Sequence, residues 1–133
     1  MSRAPRVRKR AEFERIQKGG ERVSTRTFVL VVAGRRDEKP ARLGITASRK
    51  IGGAVTRNRA KRLVREAFRV TSDLFPPGID VVVIVRKPPG DMKTADVVAE
   101  WRNAAKQLAR RAAEARLACE RSETVQESTS KAP

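Results

Sequence analysis

One stretch of the chain, residues 48–69, restricts the possible folds more than any other. It reads SRKIGGAVTRNRAKRLVREAFR, a turn broken by Gly52 and Gly53 that leads directly into a basic helix. Two adjacent glycines let the backbone turn sharply, and the free amides at a helix start favour an anion. The stretch therefore predicts a helix that packs on one side and offers an anion-binding surface on the other.

The helix that begins near residue 55 separates into two faces. With Arg57 placed at 0° and about 100° per residue, the apolar residues fall between about 220° and 20°. They include Leu63, Val64 and Phe68. The other face carries cations at i, i+3 and i+4 spacing, and Glu66 is the only acid of the stretch. A row of like charges lowers helix stability unless an anionic partner lies across it.

Charged helix faces are usually just solvated, but this one is dominated by arginine and nearly free of acids. Arginine binds phosphate bidentately and stacks on bases, whereas ordinary solvated faces mix glutamate with lysine. We therefore expect the face to contact nucleic acid. The whole chain agrees, because 31 Lys and Arg residues against 15 Asp and Glu give a net charge of +16, which favours polyanionic partners.

Composition argues against several other functions. The 133 residues suit one domain with a modest core. The chain has no histidine, which excludes histidine acid–base catalysis, and its single cysteine, Cys119, forms neither an intrachain disulfide nor a thiolate cluster. No apolar run approaches the ~18 residues of a membrane span, and the basic N-terminus is not followed by a secretory apolar segment. We expect a cytoplasmic protein with no membrane or metal site of its own.

The hydrophobic pattern predicts one α+β domain at residues 10–118, between a basic flexible N-terminus (1–9) and a disordered polar tail (119–133). This domain is an α/β sandwich with one mixed sheet of three to four strands and three helices. The helices are expected at residues 10–18, 55–74 and 94–118, and the strands at 26–33, 42–47 and 79–86, with a possible strand at 22–24.

Two expectations concern how the strands pair. The strands at 26–33 and 42–47 should form an antiparallel hairpin. The strand at 79–86 is almost continuously apolar, so both of its faces should be covered.

The acids and aromatic rings indicate a binding protein without catalytic residues. The acids Asp73, Asp80, Asp91, Asp96 and Glu100 are scattered over turns and helix starts, where caps and solvent account for them. A two-metal nuclease needs several converging acids. Aromatic residues are few, and Phe68 and Trp101 fit a core. Phe13 is the best candidate for an exposed ring that stacks on a base, although a place in the core fits it equally well.

The stretch from Ser48 to Arg69, with Arg57-Asn58-Arg59 at its centre, closely resembles the bacterial ribonuclease P protein component. The Arg-Asn-Arg sequence is the hallmark of that family. The resemblance extends over roughly residues 6–110, since the helix with Phe13 and the strands at 26–30, 42–46 and 79–88 also look like family elements in family order.

This resemblance implies a subunit of a ribonucleoprotein enzyme in which RNA is the catalyst. The ribonuclease P RNA, with Mg²⁺ held mainly by the RNA, hydrolyses precursor tRNA to release its 5′ leader. The protein docks on that RNA in a 1:1 complex and holds the single-stranded leader. The family fold also implies a left-handed crossover at the basic helix, against the usual rule.

The resemblance assigns two groups of RNA-binding residues and no catalytic residue. The helix face that meets the catalytic RNA consists of Arg57, Asn58, Arg59, Lys61, Arg62, Arg65 and Arg69. The leader cleft and the turn before the helix consist of Phe13, Arg26, Val31, Ser48, Arg49 and Lys50. Many family members carry further aromatics where this chain has Gln17 and Val31, so we expect a grip on backbone charge with weak base preference.

Three other readings compete with this one. A structural RNA-binding protein such as a small ribosomal protein would share the charge, although generic basicity does not require an Arg-Asn-Arg helix behind a Gly-Gly turn. A protein-only nuclease is disfavoured because histidine and clustered acids are missing. A membrane-surface helix near the C-terminus is disfavoured because its apolar stripe is mostly alanine.

Overall fold

A computed structural model describes residues 6–130, which form four α-helices packed on one sheet of four strands. The helices are α1 (Arg10–Gly19), α2 (Ala54–Val70), α3 (Thr94–Asn103) and α4 (Ala105–Ser130). The strands are β1 (Glu21–Ser24), β2 (Phe28–Gly34), β3 (Arg42–Thr46) and β4 (Ile79–Val85). The predicted α+β class and the single mixed sheet are confirmed.

The sheet has the strand order β1-β2-β4-β3. β4 runs antiparallel to β2 and parallel to β3, and β1 runs antiparallel to β2. The prediction that the apolar strand is covered on both faces is confirmed, because in β4 every residue except the half-buried Ile84 is buried. The predicted hairpin between β2 and β3 is wrong: β4 lies between them, since a strand apolar on both faces is stable only with neighbours on both sides.

The connection from β3 through α2 to β4 is therefore a parallel crossover, and its handedness stays a prediction. α2, α3 and α4 cover one face of the sheet, and α1 packs on the other. Trp101 of α3 is the centre of the larger core. Its ring is fully buried and meets the rings of Phe28 and Phe75 edge-on at 6.0 and 5.8 Å.

The last predicted helix is in fact two helices that differ in their packing. Ala104 interrupts them, so that α3 packs on α2 while α4 covers β1 and β2. α4 also continues to Ser130, past the predicted end at residue 118, because residues 91–132 contain neither glycine nor proline to stop it. The predicted tail thus begins inside a helix, and residues 131–133 lie outside the described part.

The segment before α1 also differs from the predicted flexible N-terminus, of which residues 1–5 lie outside the described part. Arg6 forms a parallel bridge with Leu43, and the Val7 amide donates a 3.0 Å hydrogen bond to the Leu43 carbonyl. Val7 is buried in the smaller core beneath α1, with Ile16 and Val82. The buried valine, the bridge and the backbone hydrogen bond together hold this short basic segment against the outer edge of β3.

A buried carboxylate ties the layers together. Asp80, in β4, has no exposed surface and accepts hydrogen bonds from three arginines. Arg42 donates from Nε and Nη2 at 2.8 and 2.9 Å, Arg35 from Nη1 at 2.7 Å, and Arg15 from Nη2 at 3.2 Å. Burial by itself would raise the pKa of Asp80, but the hydrogen bonds and charges of Arg42 and Arg35 outweigh it and hold the pKa below its ordinary value of 3.8.

We expect Asp80→Asn to lower the free energy of unfolding by about 3–5 kcal/mol, because it leaves the partly buried guanidinium groups of Arg35 and Arg42 without the buried carboxylate that pairs with them. Asp73→Asn is the matched control, since Asp73 pairs with Arg102 on the surface, and it should cost less than about 1 kcal/mol. Because the pKa of Asp80 is depressed, its contribution is present above about pH 4 and is lost as the pH falls further. Urea titrations at several pH values measure both effects, and equal losses in the two variants would contradict the assigned role.

Candidate nucleic-acid interface

A groove of about 680 Å³ runs along the outer edge of β3 and brings several of the predicted residues together. One wall is α2, which contributes Lys61, Arg65 and Arg69. The other wall consists of the segment before α1 and the ring of Phe13. Both groups of predicted RNA-binding residues are therefore represented in one site, although they are separated by about fifty residues of sequence.

The floor of the groove depends on a close approach between Phe13 and β3. A Cβ atom on Gly44 would lie 2.7 Å from the Phe13 ring and 3.1 Å from Cβ of Val7, so no larger residue fits without displacing them. The ring is half-buried and keeps one part exposed in the groove. The site thus combines an accessible aromatic surface with flanking cations, the combination that binds single-stranded nucleic acid.

The charges of the α2 wall are largely available to a ligand. Among the described residues Lys61 and Arg65 make no ion pair or hydrogen bond through their side chains. Arg69 is paired with Glu66 on the same helix, and this contact lowers the pKa of the Glu66 carboxyl. Asn58 and Arg62 are exposed on the outer face of α2.

Arg59, predicted to contact the catalytic RNA, makes hydrogen bonds within the fold. Its guanidinium is half-buried and donates to the carbonyl oxygens of Gly90 and Met92, each at 2.5 Å. These carbonyls belong to the loop between β4 and α3, so Arg59 joins that loop to α2. The helix-wheel position of Arg59, at the border of the apolar arc, is what brings it to this neighbour.

The turn before α2 presents its predicted residues to solvent. Ser48, Arg49 and Lys50 are exposed, and the buried Ile51 anchors the turn. Gly52 has φ +146°, a conformation that requires glycine, so it fixes the direction in which α2 begins.

Arg57 lies near the start of α2 and is only partly exposed. Its Nε is buried without a hydrogen-bond partner among residues 6–130, so this donor is not committed to the fold.

Arg26 lies at the exposed tip of the turn between β1 and β2, away from the groove. Glu100 of α3 fixes this turn by accepting hydrogen bonds from the Thr25 hydroxyl at 2.5 Å, the Thr27 hydroxyl at 2.8 Å and the Thr27 amide at 2.9 Å. Arg86 also donates to the Thr25 carbonyl, at 2.8 Å. Glu100 is thus a structural anchor that sequence reasoning missed, because its partners are 73 and 75 residues away.

The prediction that Val31 contacts a ligand is not supported by its position. Val31 has no exposed surface and packs with Ile16 and Val82 beneath α1. Val29 and Ile84, one row along the same sheet face, are half-buried instead. The accessible part of this sheet face therefore lies at Val29 and Ile84, next to the predicted residue Val31 and not at it.

Further residues of the interface were missed because nothing near them in sequence marks them. Arg6 and Arg8 line the groove opposite α2, and Asp80 holds the surrounding elements although its sequence position suggested a solvated turn.

Within residues 6–130, no group of three His, Cys, Asp or Glu side chains could hold a metal ion. No helix in this range is long and apolar enough to cross a membrane.

A small basic α+β domain with an aromatic groove between cationic walls belongs to the class of nucleic-acid-binding proteins. Comparison with known proteins specifies the family. The family model described as Ribonuclease P matches residues 1–112. The chain belongs to the ribonuclease P protein family.

Individual relatives agree with this assignment. The Ribonuclease P protein component of Staphylococcus epidermidis is 42% identical over 97 residues, which cover 73% of this chain and 84% of the relative. That of Syntrophus aciditrophicus is 42% identical over 100 residues, covering 75% and 83%. The solved RNase P protein of Thermotoga maritima aligns with TM-score 0.68 and 35% identity, covering 77% of this chain and 96% of that one.

The role of Arg59 can be separated from that of its neighbour Arg62 by substitution. Arg59→Ala should lower the free energy of unfolding by about 1–3 kcal/mol, since two charge-assisted hydrogen bonds to carbonyls are lost. Arg62→Ala, on the exposed face of the same helix, should change it by less than about 0.5 kcal/mol. Thermal unfolding followed by circular dichroism measures both, and an unchanged midpoint for Arg59→Ala would refute the structural role.

Proposed function

We propose that this chain binds ribonuclease P RNA with the outer face of α2, where Asn58 and Arg62 are exposed, and holds the single-stranded 5′ leader of precursor tRNA in the groove. Lys61 and Arg65 line the groove, so in this proposal they contact the leader and not the catalytic RNA that the resemblance implied for them. Family membership makes it a subunit of ribonuclease P, the enzyme that processes the 5′ ends of tRNA. The observation that carries the proposal is the groove itself, in which the half-exposed ring of Phe13 faces Lys61 and Arg65.

The chemistry of the groove matches a single strand better than a duplex. A base can stack on the Phe13 ring only when it is unpaired, while Lys61 and Arg65 neutralise the phosphates on either side of it. Such contacts do not depend on which base is present. A groove of this kind accepts leaders of any sequence, as a subunit acting on many precursors must.

The protein contributes binding and no catalytic group. The chain has no histidine to transfer protons, and its one acid in the groove, Glu66, is held by Arg69. Mg²⁺ prefers oxygen ligands, which RNA phosphates supply and a cationic groove does not. We therefore assign the Mg²⁺ of the reaction mainly to the RNA. We also propose that one copy of the protein binds one RNA and that the complex works in the bacterial cytoplasm.

The first test is cleavage of a 5′-end-labelled precursor tRNA at low Mg²⁺ with the protein alone, bacterial ribonuclease P RNA alone, and both. We expect cleavage at the mature 5′ end only in the mixture, since the protein holds the leader and the RNA performs the reaction. Tight RNA binding without enhanced cleavage would favour a structural RNA-binding protein instead. Cleavage by the protein alone would indicate a nuclease.

The groove itself is tested by Lys61→Ala/Arg65→Ala. In the reconstituted holoenzyme, the affinity for precursor tRNA should fall about tenfold at ~0.1 M salt, with a salt slope shallower by about 1.4, as expected for two phosphate contacts on a single strand. The affinity for mature tRNA, which has no leader, should not change. Lys106→Ala/Arg110→Ala is the control, because it removes the same charge from exposed positions on α4.

If both double variants weaken binding equally, the effect comes from net charge and not from the groove.

A further inference from the structure

The segment Arg6-Val7-Arg8 forms a strap along the edge of β3, and its geometry is that of a short strand. The bridge between Arg6 and Leu43 and the 3.0 Å hydrogen bond from the Val7 amide hold it parallel to β3. In an extended backbone, side chains alternate between two sides. Because Val7 is directed into the core beneath α1, Arg6 and Arg8 are directed outward together.

Both arginines of the strap line the groove, on the side opposite Lys61 and Arg65. They are exposed, and neither makes an ion pair or a side-chain hydrogen bond among the described residues. Gly44 lies beneath the strap and the Phe13 ring, which keeps Val7 and the ring against the same strand. The strap thus adds two available cations to the groove that Lys61 and Arg65 also line.

We propose that Arg6 and Arg8 form a second cationic wall that clasps the phosphates of the single-stranded RNA from the side opposite α2. This inference rests on the proposed function of the groove and extends it. An RNA strand in the groove has its base on Phe13 and its backbone between two rows of cations, instead of lying against one helix. Val7 sets the position of the wall, because it is the residue that fastens the strap to the fold.

The test is the double variant Arg6→Ala/Arg8→Ala in the holoenzyme reconstituted with bacterial ribonuclease P RNA. The affinity for precursor tRNA should fall about five- to tenfold at ~0.1 M salt, and the salt slope should become shallower by about 1.4. The affinity for mature tRNA should stay the same. The control is Lys9→Ala/Arg10→Ala, which removes two exposed charges next to the strap that do not line the groove.

Each outcome has one meaning. A larger loss for the strap variant than for its control supports the second wall. Equal losses for the two would overturn it, since net charge would then account for both. An unchanged strap variant beside a weakened Lys61→Ala/Arg65→Ala variant overturns the second wall and leaves the proposed function standing. If neither Arg6→Ala/Arg8→Ala nor Lys61→Ala/Arg65→Ala affects leader-dependent binding, both the second wall and the proposed function of the groove are refuted.

A further variant separates the position of the strap from its charge. Val7→Ser retains both arginines but weakens the attachment to the core, and it should reduce leader-dependent affinity in the same direction. Circular dichroism establishes that the domain stays folded. Full affinity in folded Val7→Ser would contradict the role of Val7 in positioning the wall.

Discussion

The hydrogen bonds that Asp80 accepts join α1, β3 and the end of β2 to the central strand β4. Asp80 is the one charged residue of β4, the central strand, and its carboxylate reaches Arg42 on β3, Arg35 after β2 and Arg15 on α1. Arg42 also pairs with Glu12 at 2.8 Å, next to Phe13 on α1. Arg42 thus links the buried carboxylate of β4 to the turn of α1 that carries the Phe13 ring over Gly44. A buried ion pair adds little net stability, but it penalises every arrangement that leaves one partner unpaired.

The arginines of the chain divide into those that the fold uses and those that it leaves for a ligand. Asp80 accepts hydrogen bonds from three arginines, two of which also pair with Asp37 or Glu12. The carbonyls of Gly90 and Met92 occupy Arg59, and surface acids pair with other arginines, as Glu38 does with Arg116. The cations of the groove walls are mostly outside this network. Their mutual repulsion lowers the stability of the compact state, and a polyanion in the groove relieves it. The same charges therefore cost stability in the isolated protein and, in the proposed function, supply affinity for RNA.

Local periodicity was sufficient for the elements but not for their arrangement. The basic helix, the apolar central strand and the core position of Trp101 follow from spacings within one element, and the structure confirms them. The prediction of a hairpin between β2 and β3 was wrong because the sequence of a short apolar strand does not specify which strands lie beside it. Val31 was misplaced for a related reason: alternation assigns it to a face, whereas the coverage of that face by α1 depends on distant residues.

The sequence by itself determined that this protein has an arginine-rich helix behind a glycine turn and a large positive charge, and from these features it predicted a nucleic-acid-binding surface. These properties depend on residue type and on spacings of three or four, which are read along the chain. Only the tertiary structure decided that Arg59 donates hydrogen bonds to a distant loop, that Val31 is buried, and that Arg6 and Arg8 line the same groove as Lys61 and Arg65. Those outcomes depend on strand order and on contacts between residues far apart in the chain, which local propensity does not encode.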